Sequence, residues 1–122
     1  MAHTIEIKAC DNELIIQAFS TTDSYMIAHI KSGNNHTVSI NITVDEGTYS
    51  AGLSANGVNS NLNEMAKLSI PSGDYYLAVV GYNWGGPGNF YLKVDGIPMA
   101  WDKNGSDDIG TVFTPAAAVF NI

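Results

Sequence analysis

Apolar and polar residues alternate along most of this chain, and that period of two is what most narrows its choice of fold. Successive side chains of an extended strand point to opposite faces, so alternation sends one set to a core and the other to water; a helix would repeat its apolar residues at three and four. The clearest run is Thr37 to Val44, with Val38, Ile40, Ile42 and Val44 on one face and Ser39, Asn41 and Thr43 on the other. Related runs are Thr4 to Ala9, Leu14 to Phe19, Tyr25 to Ile30, Thr48 to Leu53, Ala66 to Ile70, Tyr75 to Tyr82 and Asn89 to Val94.

Details follow from the punctuation between runs. Asp11-Asn12 joins the first two runs into an opening hairpin. Gly52 weakens Thr48 to Leu53, as a bulge or an edge strand would allow. The polar text SANGVNSNLN, from Ser54 to Asn63, reads as a long exposed loop, and any helix is limited to one turn near Asn61 to Met65. The nearly all-apolar YYLAVVGY implies a central strand covered on both faces. Beyond the turn Asp95-Gly96 come a short segment from Pro98 to Trp101, the loop DKNGSDD, and a last run from Thr111 to Ile122 broken at Pro115. Turn formers spaced about eight to twelve residues apart predict one all-β domain over residues 1–122, an antiparallel, jelly-roll-like β-sandwich of about 8–10 strands with little or no helix.

A chain of 122 residues is long enough for one core. Charged residues make up only 14% of it, against roughly 25% in typical usage, and Asn, Ser, Thr and Gly take their place at the surface. The net charge is −7, from twelve acids and five bases. Those bases, Lys8, Lys31, Lys67, Lys93 and Lys103, are scattered, and Arg is absent. Nucleic acid would be repelled, an anionic membrane surface would find no polybasic patch, and no run approaches the roughly 18 apolar residues of a membrane span. Cys10 is the single cysteine; it has no internal disulfide partner and reads as a small buried or edge hydrophobe. The opening MAHTIEIKAC lacks a basic region followed by an apolar run, which predicts cytoplasmic synthesis or export by a non-standard route.

The segment KLSIPSGDYYLAVVGYNWGGPGNFYLKV, Lys67 to Val94, resembles the closing hairpin of bacterial pre-peptidase C-terminal domains. Their pattern is an apolar strand, a Pro/Gly turn, paired aromatics, a second apolar strand, a Gly-rich loop and a Gly-Asn-Tyr-type strand. Upstream, TTDSYMIAHIKSGNNHTVSINI is similar to their entry strands, so the resemblance spans residues 20–95. It implies a jelly-roll sandwich and a non-catalytic module that accompanies secreted hydrolases and contacts a polymer such as collagen or polysaccharide. The chain departs from that pattern at Thr48 to Leu53, where the family commonly has an acidic Asp-Xaa-Asp-Leu strand, and in residues 96–122, which extend past it.

Two loops are candidate sites. Tyr82-Asn83-Trp84-Gly85-Gly86-Pro87-Gly88-Asn89 offers an indole between small residues; either Trp84 stands exposed for a sugar ring to stack on, with Tyr82, Asn83 and Asn89 meeting hydroxyls, or it folds back as a lid on the sandwich. Trp101 with Asp102, Asn104, Asp107 and Asp108 forms the second. Oxygen ligands around a Gly turn suit calcium, although the glutamate at the twelfth position is missing and Lys103 intrudes, so a solvated Asn-Gly turn is the competing reading. His3, His29 and His36 are not spaced as a metal set. Gly52-Leu53-Ser54-Ala55-Asn56 misses the second glycine of a nucleophile elbow. Asn35-His36-Thr37 and Asn41-Ile42-Thr43 fit the glycosylation pattern, which abundant Asn and Thr produce by coincidence.

These readings give a non-catalytic, lectin-like module that binds carbohydrate or another extracellular polymer through its end loops. The alternative is a self-assembling, toxin-like or inclusion-forming β-protein whose tail TPAAAVFNI serves a homo-oligomer. The tail separates the two: Val119, Phe120 and Ile122 belong either to their own sandwich or to a neighbour.

Overall fold

The computed structural model describes residues 2–32, 37–57, 62–99 and 108–122. Its strands are β1 (His3–Cys10), β2 (Glu13–Phe19), β3 (Ser24–Lys31), β4 (Thr37–Glu46), β5 (Leu53–Asn56), β6 (Asn63–Ile70), β7 (Tyr76–Asn83), β8 (Phe90–Val94), β9 (Ile97–Pro98), β10 (Gly110–Phe113) and β11 (Ala118–Val119). One sheet runs β6-β4-β1-β8-β9 and the other β10-β7-β2-β3-β5, with β11 beside β7. Packed face to face they form an all-β sandwich, and the described residues contain no helix.

Alternation builds the layer between the sheets. Ile5, Ile7, Ile40, Ile42 and Leu92 bury themselves from the first sheet, and Leu14, Ile16, Ile30, Leu77 and Val79 meet them from the second. Each such side chain contributes about 1.5–3 kcal/mol by leaving water. At one end Phe90 of β8 and Phe113 of β10 lie nearly parallel, with centroids 5.2 Å apart. Gly81 makes room for that stack: a Cβ there would come within 2.6 Å of the Phe90 ring and 2.8 Å of Phe113 Cβ.

The connections differ from the expected ones in ways the tertiary structure explains. Asp11-Asn12 is not a hairpin turn, because β1 and β2 lie in opposite sheets and the corner carries the chain across the sandwich. β7 likewise leaves its chain neighbours, since β6 and β8 both belong to the other sheet. The sheets are mixed rather than wholly antiparallel: β5 runs parallel to β3 and β6 parallel to β4. Residues 48–52 form no strand; Gly52 passes so close to β3 that a Cβ would sit 2.4 Å from the Met26 carbonyl oxygen. The edge strand runs from Leu53 to Asn56 instead, mostly inside the segment expected to be a loop, with Ala55 as its buried anchor, and Leu62, ahead of β6, is buried as well. Asn63 to Met65, expected near a helical turn, opens β6.

Among the described residues, one face of β7 is buried and the other keeps partial exposure. Leu77, Val79 and Gly81 point inward, while Tyr76, Ala78, Val80 and Tyr82 look out and keep partial exposure. An apolar run shows that a strand is sticky on both faces but not that a second layer covers it.

The tail closes its own sandwich. Phe120 is fully buried, its N–H donates to the Tyr75 carbonyl at 2.8 Å, and its ring stacks on His3 at 4.2 Å. Ile122 and Gly73 exchange backbone hydrogen bonds of 2.9 and 2.8 Å, and Val119 faces solvent. Among the described residues no helix is long and apolar enough to cross a membrane. Gly81→Val is expected to force the Phe90–Phe113 stack apart and cost roughly 1–3 kcal/mol, typical of overpacking, as a lowered urea midpoint. Val119→Ala, on the solvent side, is expected to change stability by less than about 0.5 kcal/mol in the same titration.

Candidate binding surface

The loop carrying Trp84 is held from beneath by the corner where the chain changes sheets. Asp11, Asn12, Ser32 and Asn83 are buried there, and buried polar groups are tolerated only when their hydrogen bonds are made. The Asn12 N–H donates to the Tyr82 carbonyl at 2.7 Å, and its carbonyl accepts from the Ser32 N–H at 2.8 Å and the Ser32 hydroxyl at 3.2 Å. The Asn12 side chain donates from Nδ2 to Asp11 Oδ1 at 2.6 Å and accepts at Oδ1 from the Trp84 N–H at 2.6 Å. One asparagine therefore ties β7, the end of β3 and the first residue of the loop together.

Asn83 fixes the rest of the loop. Its Nδ2 donates to the carbonyls of Gly86 and Asp108, both at 2.8 Å, and its Oδ1 accepts from the Gly85 N–H at 3.2 Å. Gly86 adopts φ +73°, a left-handed conformation that glycine enters without strain. Fully buried with its amide engaged, Asn83 shapes the loop instead of reaching ligand hydroxyls.

Trp84, by contrast, stands outside. The residue is 62% exposed, so it is not a lid on the sandwich end. The indole stacks on Tyr82, 15° from parallel with centroids 6.1 Å apart. A ring fixed by a neighbour and by its own backbone hydrogen bond presents a flat apolar face with little freedom left to lose. Asn89 is half-buried between Gly88 and Phe90, both buried. Trp101, Asp102, Asn104 and Asp107 lie outside the described residues, as does His36; Asp108 is described, is exposed, and receives Asn83 on its carbonyl. Among the described residues no group of three or more His, Cys, Asp and Glu side chains is arranged to hold a metal ion.

The outward face of the second sheet continues from Trp84. Across the strands Thr111, Tyr82, Glu13, Lys31 and Asn56 are register partners in turn, and the next row holds Val80, Ile15, His29 and Ser54. At the far end Phe19 of β2 faces Tyr76 of β7, with rings 5.8 Å apart. Of these residues the sequence reading offers Tyr82 alone as a site residue; Phe19 and Tyr76 are not among its candidates. The even positions of β7 do carry the signal, since Tyr76 and Tyr82 share a face whenever 77, 79 and 81 are buried.

His29 Nε2 meets the Glu13 carboxylate on this face, and Ser54 is the register partner of His29. Ser54 is exposed on an edge strand, where water competes for its hydroxyl; the grouping acts as a cross-strand pair, with Lys31 beside Glu13 adding compensating charge. Elsewhere a cavity of about 390 Å³ opens between the β8–β9 turn and the tail, lined by Val94, Ile97, Met99, Pro115 and Val119 among others. The carboxylate of Asp95 at its wall is occupied by His3 at 2.6 Å and the Thr4 N–H at 2.9 Å.

Cys10 lies under the corner, fully buried. Burial is the main cause that pushes its thiol up to about 12, helped by the charges of Asp11 and Glu13 and opposed by a hydrogen bond with Ser32. No family model, no curated protein and no solved structure matches the chain.

Two outcomes follow. At pH 8 the native protein is expected to leave Cys10 unmodified by iodoacetamide, because the thiolate is nearly absent four pH units below its pKa of about 12; alkylation is expected once urea unfolds the chain, as followed by mass spectrometry. Asn83→Ala strips the loop of its buried partners and is expected to cost about 1–3 kcal/mol, with a red shift of tryptophan fluorescence.

Proposed function

We propose that this domain is a non-catalytic binding module that recognises carbohydrate, or a polymer of similar chemistry, through the loop that carries Trp84. One observation carries the reading: an indole mostly open to water is held by a buried hydrogen-bond network and a stacked tyrosine. Exposed aromatic surface is unfavourable in water, and a fold that fixes it in place instead of burying it gains from a partner that covers it. Pyranose rings suit such a partner, because their C–H faces lie flat on an aromatic ring while their hydroxyls remain hydrated at the edges. Preorganisation of the ring lowers the ordering cost of binding. The resemblance of residues 20–95 to pre-peptidase C-terminal domains points toward the same class of ligand.

The homo-oligomer alternative drew on Val119, Phe120 and Ile122. Phe120 packs inside its own sandwich and Ile122 packs against that core, which leaves Val119 of the three open to a neighbour.

Trp84→Ala is expected to keep the melting temperature within about 2 °C, as an exposed substitution should, and to abolish the signal on a glycan array that the wild-type protein gives. A large drop in melting temperature would identify the ring as core. A blank wild-type array would remove carbohydrate as the ligand.

A further inference from the structure

The aromatic rings of the second sheet's outer face are grouped at its two ends, and their spacing bears on the length of the ligand. Tyr82 and Trp84 stack at one end, while Phe19 and Tyr76 pair at the other. Tyr76 is about half exposed and Phe19 more than a third, so both rings present area to solvent. Tyr76 and Tyr82 occupy the same strand and the same face, six residues apart, which at about 3.4 Å per residue separates the two stations by roughly 20 Å. Val80, Ala78 and Ile15 form an apolar floor between them. Polar side chains border that floor: Gln17 on β2, the neighbour of β7, and His29 on β3 belong to the outward set.

We infer that the ligand is an extended, uncharged polysaccharide chain lying along β7, with one sugar stacked at the Trp84–Tyr82 end and another at the Phe19–Tyr76 end. This rests on the reading of Trp84 as a carbohydrate site and adds ligand length, direction and charge to it. A single sugar or a chain terminus covers one station and leaves the other wet; a chain covers both, because its repeating units bring a C–H face to each in turn. Hydroxyls along the chain edge meet Gln17, the register partner of Ala78 on the neighbouring strand, which a wholly apolar partner would leave unsatisfied. Charge selects the uncharged class. On a molecule of net charge −7, Glu13 is the carboxylate carried by the strands of this sheet, and it is engaged by His29 with Lys31 as its register partner. The face is therefore near neutrality, while the field of the whole molecule repels polyanions.

The inference is tested by affinity electrophoresis in native gels containing β-glucan, xylan, galactomannan or soluble chitosan-free chitin oligomers as neutral probes, with alginate as the anionic probe. Calorimetry with di- and hexasaccharides of whichever probe retards the protein then measures the dependence on length. The wild-type protein is expected to be retarded by at least one neutral polymer and not by alginate, and to bind the hexasaccharide more tightly than the disaccharide. Tyr76→Ala, with its fold checked by circular dichroism and melting, is expected to weaken the hexasaccharide roughly five- to tenfold, the range of one aromatic contact, and to leave disaccharide affinity unchanged. Trp84→Ala is expected to abolish both. Equal affinity for the two lengths, or a Tyr76→Ala variant that binds the hexasaccharide as well as wild type does, overturns the extended chain while the Trp84 site stands. Retardation by alginate alone overturns the uncharged class. A wild-type protein that ignores every polymer yet gives a signal for short sugars on the array overturns the chain and keeps the site, and silence in both assays ends both. If Tyr76→Ala instead lowers the mass of the protein in light scattering, the face is a contact between copies and the inference fails.

Discussion

The apolar layer between the two sheets is the constraint on which the other features depend. Every long strand buries alternate residues in it, from Ile5 and Ile7 on β1 to Leu77 and Val79 on β7, so each strand has its register set by which of its residues the layer accepts. A one-residue slip of β7 would drive Tyr76 and Tyr82 into the core and expel Leu77 and Val79. The outward aromatics are thus held in place by the inward aliphatics, with the pleat as the link between them.

The layer also forces the chain to cross from sheet to sheet, and the crossings concentrate polar groups at one end of the sandwich. At Asp11-Asn12 the backbone leaves one sheet before it enters the other, so its donors and acceptors cannot all be satisfied by a strand ladder. Ser32, Tyr82 and Trp84 supply the missing partners. Stability and presentation are joined here: the hydrogen bonds that make the corner tolerable also orient the loop above it. Asn83 extends the coupling to the start of the β10 segment through the Asp108 carbonyl.

Much of the fold was legible because alternation is a local property. The strands around Ile5, Ile40, Ile16 and Leu92 follow from residue spacing, and so does the sandwich class. That Trp84 stands exposed in a loop was legible from the glycines that follow it. What could not be read locally was pairing. The parallel neighbours β5 and β6 take their places from contacts across the sequence, as Ala55 does beside Ile30, and a four-residue strand in polar text has too few alternations to announce itself. Asn83 was misjudged for a similar reason: an asparagine in a loop serves a ligand or the loop itself according to what lies behind it, and what lies behind it is 25 residues away at Asp108.

By itself, then, the order of residues determined that the chain would form strands with one dry face, that its surface would be acidic and poor in cations, and that an aromatic ring would sit in a glycine-rich turn. These are consequences of side-chain chemistry and of the two-residue period, and they need no knowledge of neighbours. Tertiary structure alone decided which strands meet, that the outer face of β7 remains open, and that Tyr82, Trp84, Phe19 and Tyr76 share that face. The reason is physical: solvent exposure belongs to the assembled layers, and no single strand carries the information about whether another layer will cover it.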